Sequence, residues 1–340
     1  MELSPWIRRQ WRRARGPEAA ARELKRRFAR FRTGGNERFF RAMARHLSRF
    51  VDHPCVEMYF EFGITTNDRG RGMVEIVERI APVAGRRVLD VGCGHGGFLV
   101  AFAERGAKVA GIEKDPATLA LARINLEERG VPNTIYDRDA TADVSDVHER
   151  YDVITCNDVI EHVVDADALL RNVRHLLAPD GFAVFEIPNG ADARFVLSDG
   201  HYQLFGITLL DRPRADEYFV VARPGLPNSV YRYLTVEEYR RLFAAHGLTM
   251  TVLEETFHGA SLENVRGAAR DLRAQMDAKL SEVPAASRPL VRDRVTDYLA
   301  TLETTLADTS AEAAKVVEQY GCAFWRVVAR PMESSSDTGR

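Results

Sequence analysis

One segment constrains the fold more than any other: Val88-Leu89-Asp90-Val91-Gly92-Cys93-Gly94-His95-Gly96-Gly97, a short apolar run that enters a glycine-dense turn before a helical pattern begins. Glycine lets the backbone take positive φ there and lets another molecule approach the main chain without meeting a Cβ. A strand that feeds a helix through such a turn suits a doubly wound α/β sheet with a nucleoside-sized ligand at its switch point.

The rest of the chain supports that architecture. Strand-like runs at Arg87–Val91, Lys108–Glu113, Asn133–Tyr136, Asp152–Cys156 and Phe182–Ile187 alternate with helical patterns at Gly97–Arg105, Pro116–Arg129 and Ala166–Leu177. Such alternation implies a parallel sheet covered on both faces. The last of these helices is expected to stop at Pro179-Asp180-Gly181. Residues 189–233 carry little periodicity and read as a long lid-like insertion. A helix at Thr235–His246, a strand at Leu248–Glu254, a helical insertion over 261–319 and a final strand at Cys322–Ala329 complete the pattern. The expected organisation is a basic helical extension over 1–70, a main domain over 71–260 and 320–331, the two insertions, and a disordered tail over 332–340.

Composition excludes several classes. The four cysteines, Cys55, Cys93, Cys156 and Cys322, show no C-x-x-C spacing, so neither a zinc ribbon nor a disulfide framework is signalled. No apolar run is long enough to span a bilayer and no secretory signal is present, so a cytoplasmic location is expected. Residues 1–50 hold fifteen Lys/Arg and four Glu, whereas the remainder carries 32 basic and 45 acidic residues. In that basic arm Trp6, Trp11, Leu24, Phe28, Phe31, Phe39, Phe40, Met43, Leu47 and Phe50 recur at helical spacing, with breaks near Gly16-Pro17 and Thr33-Gly34-Gly35. The arm is either a helical cap on the main domain or a surface for a membrane or another anionic partner.

A glycine turn alone would also suit a dinucleotide. Two features argue otherwise. Asp90 sits just before the glycines, where a carboxylate repels a pyrophosphate but attracts the ammonium of an amino-acid moiety. Cys93-Gly94-His95-Gly96 replaces the spacing that cradles a pyrophosphate on a helix N-terminus, while the second strand ends at Glu113, placed to accept ribose hydroxyls as in any doubly wound nucleoside site.

With VLDVGCGHGG, GIEKD, YDVITCNDVIEHV and LLAPDGFAVFEIPN in hand, the chain resembles class I S-adenosylmethionine-dependent methyltransferases over about Arg71 to Glu254, and within them the ubiquinone-biosynthesis O-methyltransferases. The resemblance implies a seven-stranded sheet with an antiparallel last strand. It also implies cofactor-binding roles: Asp90, Gly92 and Gly94 for the methionine part, Glu113 for the ribose, Asp139 for the adenine amino group, and Asn157 beside the sulfonium. Arg71 stands about where related enzymes place a carboxylate-binding arginine.

Methyl transfer to a hydroxyl requires a lone pair on the acceptor oxygen and help in losing its proton. Asp158, Glu161 and His162 fall at i, i+3 and i+4, one helical face, where a divalent cation such as Mg2+ is a candidate occupant. The similar ubiquinone-pathway enzymes carry an acidic-x-x-Glu-His metal motif there, with Glu where this chain has the shorter Asp158. The same residues also spell a capping box, with His162 left as a general base or a packed ring. His201, in Asp199-Gly200-His201-Tyr202, either joins this chemistry as a base or metal ligand or only fastens the loop.

The expected activity is therefore O-methylation of a small-molecule or sugar hydroxyl in biosynthesis. Methylation of an RNA terminal ribose, with the basic arm holding nucleic acid, is a competing enzyme reading, and a non-catalytic sensor or scaffold is a third. The helical insertion, with Leu262, Val265, Leu272, Met276, Leu280, Val291, Val295, Leu299 and Leu302 at helical spacing, either completes a core, recognises the acceptor or joins two copies in a homodimer.

Overall fold

The computed structural model describes residues 16–32, 35–50, 53, 55–308, 310 and 312–332. Trp6, Trp11, the Thr33-Gly34 break and nearly all of the expected tail lie outside these residues. Strands β1 (Arg87–Val91), β2 (Lys108–Glu113), β3 (Ile135–Asp137), β4 (Tyr151–Asn157), β5 (Leu177–Pro188), β6 (Leu248–Val252) and β7 (Phe324–Pro331) form one sheet in the order β3-β2-β1-β4-β5-β7-β6. Strand β2 pairs parallel with β1 and with β3. The last strand, β7, is antiparallel as expected, and it is inserted between β5 and β6, pairing with both. Register places Glu186 opposite Arg326, and the two form a cross-strand ion pair at 2.6 Å. β5 begins at Leu177, earlier than the Pro-Asp-Gly signal suggested. Pro179 and Asp180 are exposed, so the missing proline N–H leaves no buried ladder position unpaired.

The chain divides into two compact units, Met1–Ala142 with Arg150–Thr155, and Asp143–Glu149 with Cys156–Arg340. The first contains α1 (Gly16–Arg27), α2 (Glu37–Leu47), α3 (Val56–Ile64), α4 (Thr66–Ile80), α5 (Gly97–Glu104) and α6 (Pro116–Glu128). Helix α6 starts where Asp115 accepts from the Thr118 N–H at 2.7 Å and Pro116 supplies a preset φ. The apolar stripe of the basic arm is spent inside this unit: Leu24, Phe28, Phe39, Phe40 and Met43 pack with Phe60 and with Leu121 of α6. Each such phenylalanine contributes about 1.5–3 kcal/mol by leaving water. The arm's charges dock it as well, through Arg27 to Glu57, Arg38 to Glu127, and Glu128 accepting the Phe39 N–H at 2.8 Å. Its described helices are thus a cap on their own unit, with arginines left on the outer face. Glycine is required where α4 crosses α5, because a Cβ on Gly97 would lie 2.4 Å from the Thr66 backbone.

The second unit contains α7 (Ala166–Leu176), α8 (Ala193–Leu197), α9 (Arg212–Ala222), α10 (Val236–Ala245), α11 (Leu262–Glu282), α12 (Arg288–Ala307) and α13 (Ala313–Tyr320). The segment 189–233 is less irregular than its pattern suggested, since it holds α8 and α9, each started by an aspartate cap, Asp192 and Asp211. Val196, Tyr202, Phe205, Tyr218 and Phe219 from this segment share one core with Val265, Leu272, Leu280, Val291, Val295, Leu299 and Leu302 of α11 and α12. The two insertions bury each other, which explains why neither reads as a free-standing unit. No helix among the described residues is long and apolar enough to cross a membrane.

Candidate active site

In the first unit β1 delivers Asp90 to a turn in which Gly92, Gly94 and Gly96 adopt φ of 71°, 52° and 74°. Gly92 and Cys93 donate their N–H groups to the Ile112 carbonyl, both at 2.9 Å, tying the turn to β2. A side chain at Gly94 would have room, with its nearest neighbour at 3.9 Å, so the positive φ and not crowding demands glycine there. Glu113, at the end of β2, is held by three backbone donors: Lys114 and Asp115 N–H reach Oε1 at 2.8 Å, and Gly94 N–H reaches Oε2 at 3.0 Å. These bonds occupy Oε1 and leave Oε2 able to accept a hydroxyl.

Asp90 is 3% exposed and accepts from the Thr155 hydroxyl at 2.7 Å. Burial, aided by the charge of Glu113 and opposed by the Thr155 bond and Arg69, pushes its carboxyl up to about 7. A buried carboxylate in that state gains from any cation placed against it, and an ammonium fits that need. Asp139 accepts from Thr141 N–H at 2.8 Å and Thr141 Oγ1 at 2.7 Å, and pairs with Lys114 at 2.8 Å. Partial burial works against its charge, but these partners outweigh it and hold the carboxyl below its usual range.

Arg71 is placed differently from the expectation. Its guanidinium binds Glu104, with Nε–Oε2 at 3.1 Å, and Asp68 at 2.7 Å. Glu104 closes α5, so it lies roughly 10 Å of helix rise from the glycine turn at that helix's start. Arg69 is the arginine whose charge reaches Asp90 and His95. It stacks on Phe62 at 3.5 Å and donates to the Phe62 carbonyl at 3.1 Å. Nothing in the local sequence separates Arg69 from Arg71 except their position on the turn of α4.

In the second unit the residues after β4 fold otherwise than an α-helix. Asp158 has φ of 52°, and Ile160–His162 is one turn of 3₁₀ helix capped by Val159 without a side-chain bond. Neither the capping box nor the i, i+3, i+4 face therefore forms. Asp158 instead accepts from the Asn157 side-chain amide at 2.9 Å, while its own N–H donates to the Glu186 carbonyl at 3.1 Å.

What assembles is a cluster of Glu161, His162 and His201, with ligand atoms all within 4.8 Å of one another. Asp158 is not part of it. Glu161 is fully buried, neither carboxylate oxygen makes a hydrogen bond among the described residues, and the Nε2 atoms of His162 and His201 each stand 3.5 Å from Oε1. The imidazoles are crossed, with centroids 4.8 Å apart at 82°. His162 Nδ1 bonds the Ser229 carbonyl at 2.9 Å, and because that oxygen only accepts, Nδ1 carries the hydrogen and Nε2 is the nitrogen turned to Glu161. His201 Nδ1 bonds the Tyr233 hydroxyl at 3.0 Å. Burial alone would push His201 down, but Glu161, Asp199 and Asp158 outweigh it and hold its pKa above the usual value. A buried carboxylate whose charge is not compensated costs several kcal/mol, so a proton or another cation belongs between these groups. Ser229 and Tyr233 carry no motif; their role appears only once the loops are folded.

Residues 65–253 match a family model described as a methyltransferase domain. Over 123 residues the chain is 37% identical to a ubiquinone biosynthesis O-methyltransferase from Pseudomonas entomophila (strain L48), covering 36% of this chain and 53% of that protein. A protein of the same name from Pseudomonas fluorescens is 39% identical over 114 residues, covering 34% of this chain and 49% of its own length. The chain spans about half the length of the curated relatives it matches. Among solved structures, the YcgJ protein from Bacillus subtilis aligns with a TM-score of 0.45 at 16% identity, over 78% of this chain and 100% of that one.

Proposed function

From the premise that the chain belongs to the methyltransferase-domain family, class I enzymes that use S-adenosylmethionine, we propose that it transfers the methyl group to a hydroxyl of a small molecule or sugar unit. Donor binding is assigned to Asp90, Gly92, Gly94 and Glu113, with Asp139 and Asn157 as further contacts to the adenine and sulfonium ends. The observation that carries the choice of oxygen is the convergence of two imidazole Nε2 atoms on the buried Glu161 carboxylate. A hydroxyl must lose a proton to become a nucleophile, whereas a neutral amine already owns its lone pair. His162 and His201 are the groups that take that proton, and Glu161 stabilises the imidazolium that results.

The donor set of one carboxylate and two imidazoles also fits a divalent cation. Two nitrogen ligands suit zinc or a first-row transition ion better than Mg2+, which prefers oxygen. Glu161, His162 and His201 would hold it, each imidazole fixed through its other nitrogen, as ligating histidines require. Such an ion would supply positive charge that lowers the acceptor's pKa.

The test is incubation of the protein with methyl-labelled S-adenosylmethionine and a panel of phenols, catechols and sugars, followed by product analysis. Label in a methyl ether is expected. Label only in amines or thioethers would overturn the hydroxyl assignment. Repeating the assay after exhaustive chelation separates the two forms of the site: retained turnover leaves the histidines acting alone, and loss restored by zinc or manganese assigns the cation.

A further inference from the structure

We infer that the irregular segment from Asn228 to Tyr233 is a strap that positions both imidazoles, with Tyr233 setting His201, the Ser229 carbonyl setting His162, and Arg212 anchoring the strap from its other side. The inference rests on the reading that Glu161, His162 and His201 form the working cluster.

The segment belongs to neither helix nor sheet, so its backbone donors and acceptors must find partners elsewhere. Three alternate residues of the strap touch the cluster. The Ser229 carbonyl accepts from His162 Nδ1 at 2.9 Å, the Tyr231 N–H donates to the Glu161 carbonyl at 2.7 Å, and the Tyr233 hydroxyl meets His201 Nδ1 at 3.0 Å. The intervening carbonyls, of Asn228 and Val230, accept from the two Nη atoms of Arg212 at 3.1 and 3.0 Å. Arg212 Nε binds Asp216 at 2.6 Å, Asp216 accepts from the Asn228 side chain at 2.9 Å, and the guanidinium lies over the Tyr231 ring at 4.2 Å. One planar cation at the start of α9 thus fixes the strap at two carbonyls and an aromatic face, a geometry that a lysine cannot reproduce.

Two further features give the strap a defined position. Tyr233 is pressed against Gly190, where a Cβ would come within 2.6 Å of the ring, so the ring can sit there only because residue 190 has no side chain. The Tyr202 hydroxyl bonds Ser229 at both Oγ and N–H, each at 2.6 Å, and Tyr202 stands on the turn that carries His201. That turn is itself built by Asp199, whose carboxylate takes the N–H groups of His201, Tyr202 and Leu204 at 2.9, 2.8 and 2.6 Å. The two histidines are therefore held by parts that are also bonded to each other. A disturbance of the strap should reach both rings, while loss of the Tyr233 hydroxyl should reach one.

The test uses the full chain, labelled with ¹⁵N-histidine and freed of metal by chelation, with long-range proton–nitrogen spectra recorded for Tyr233→Phe, Arg212→Met and Arg212→Lys. His162→Gln and His201→Gln assign the signals. Tyr233→Phe keeps the ring in its place, and it is expected to change the His201 nitrogen shifts, leave those of His162 as they were, and lower kcat about tenfold, in line with the cost of losing an outer partner of a histidine. The KM for S-adenosylmethionine is expected to stay within about twofold. Arg212→Met is expected to change both rings, and Arg212→Lys, which keeps the charge and the fold but not the two-pronged grip, to do the same to a smaller degree. His201 signals identical to the parent in Tyr233→Phe, or unchanged signals of both rings in both Arg212 variants, would overturn the inference. If the shifts change as described but no hydroxyl acceptor is ever methylated, the strap stands and the proposed reaction falls.

Discussion

The seat around Glu113 and the cluster around Glu161 both centre on a carboxylate, and they are built in opposite ways. Glu113 is satisfied before anything binds, with three backbone N–H groups from a contiguous turn and strand end directed at it. Glu161 is fully buried and faces two nitrogens at 3.5 Å that arrive from its chain neighbour and from a loop forty residues away. The first, proposed as the cofactor receptor, holds a charge already solvated by the protein. The second stores an electrostatic need that a proton or another cation can answer. On the proposed assignment, the difference separates a region that binds the donor from a region that handles the acceptor's proton.

Breaking the reactive region should have the largest effect. Glu161→Gln removes the charge that both imidazoles share, and kcat for methyl transfer is expected to fall about a thousandfold, within the range for a positioned acid–base group. Its calorimetric affinity for S-adenosylmethionine should match the parent. Equal loss of both would merge the two regions into one and end the comparison.

Breaking the receptor should be smaller and fall on affinity. Glu113→Gln exchanges a charged acceptor for a neutral one, and loss of a hydrogen bond to a charged group costs about 2 kcal/mol, or roughly thirtyfold in cofactor Kd. A kcat at saturating cofactor close to the parent would sharpen the division of labour.

The receptor also carries a pH signature. Asp90 is raised to about 7 by burial first and by Glu113 next, so the free folded protein keeps its proton to a higher pH than the unfolded chain does. Stability from that proton is complete below the unfolded value near 4 and is lost as pH rises through about 7. An ammonium bound against the carboxylate replaces the proton. Cofactor affinity should therefore strengthen up to about tenfold per pH unit as pH climbs toward 7 and level off above it. Calorimetry from pH 5.5 to 8.5 checks this, and Asp90→Asn should flatten the curve. An affinity that weakens with rising pH would contradict the assignment of Asp90 to the ammonium.

The smallest expected effect concerns Arg71. Its partners Glu104 and Asp68 form an exposed ion-pair set, which contributes little. Arg71→Ala should change cofactor Kd by less than about twofold, whereas a large loss would return Arg71 to the receptor.

These two regions were also unequally readable from the amino-acid sequence. The receptor uses residues local to one strand, turn and strand end, so periodicity and glycine spacing placed β1 and β2 at the bounds later observed, along with Asp90 and Glu113. Arg71 pairs with Glu104 and Asp68 while Arg69 acts on Asp90, a difference of helical phase over two residues that a motif match does not resolve. The cluster depends on long-range folding. Asp158 looked like a ligand under α-helical spacing, but a positive φ and a 3₁₀ turn after β4 sent it to Asn157 instead. His201 could only be offered as a candidate, since its place is set by Asp199, Tyr202 and a strap with no periodic signal. Segment 189–233 misled for the same reason: short helices capped by Asp192 and Asp211 find their apolar partners in α11 and α12, far along the chain.

The most direct test of the central claim is a calorimetric titration of the purified chain with S-adenosylmethionine, S-adenosylhomocysteine and a nicotinamide dinucleotide at one pH. One-to-one binding of both adenosyl ligands, weakened in Glu113→Gln, with no heat from the dinucleotide, is the predicted result. Binding of the dinucleotide, or adenosyl binding indifferent to Glu113, would contradict it.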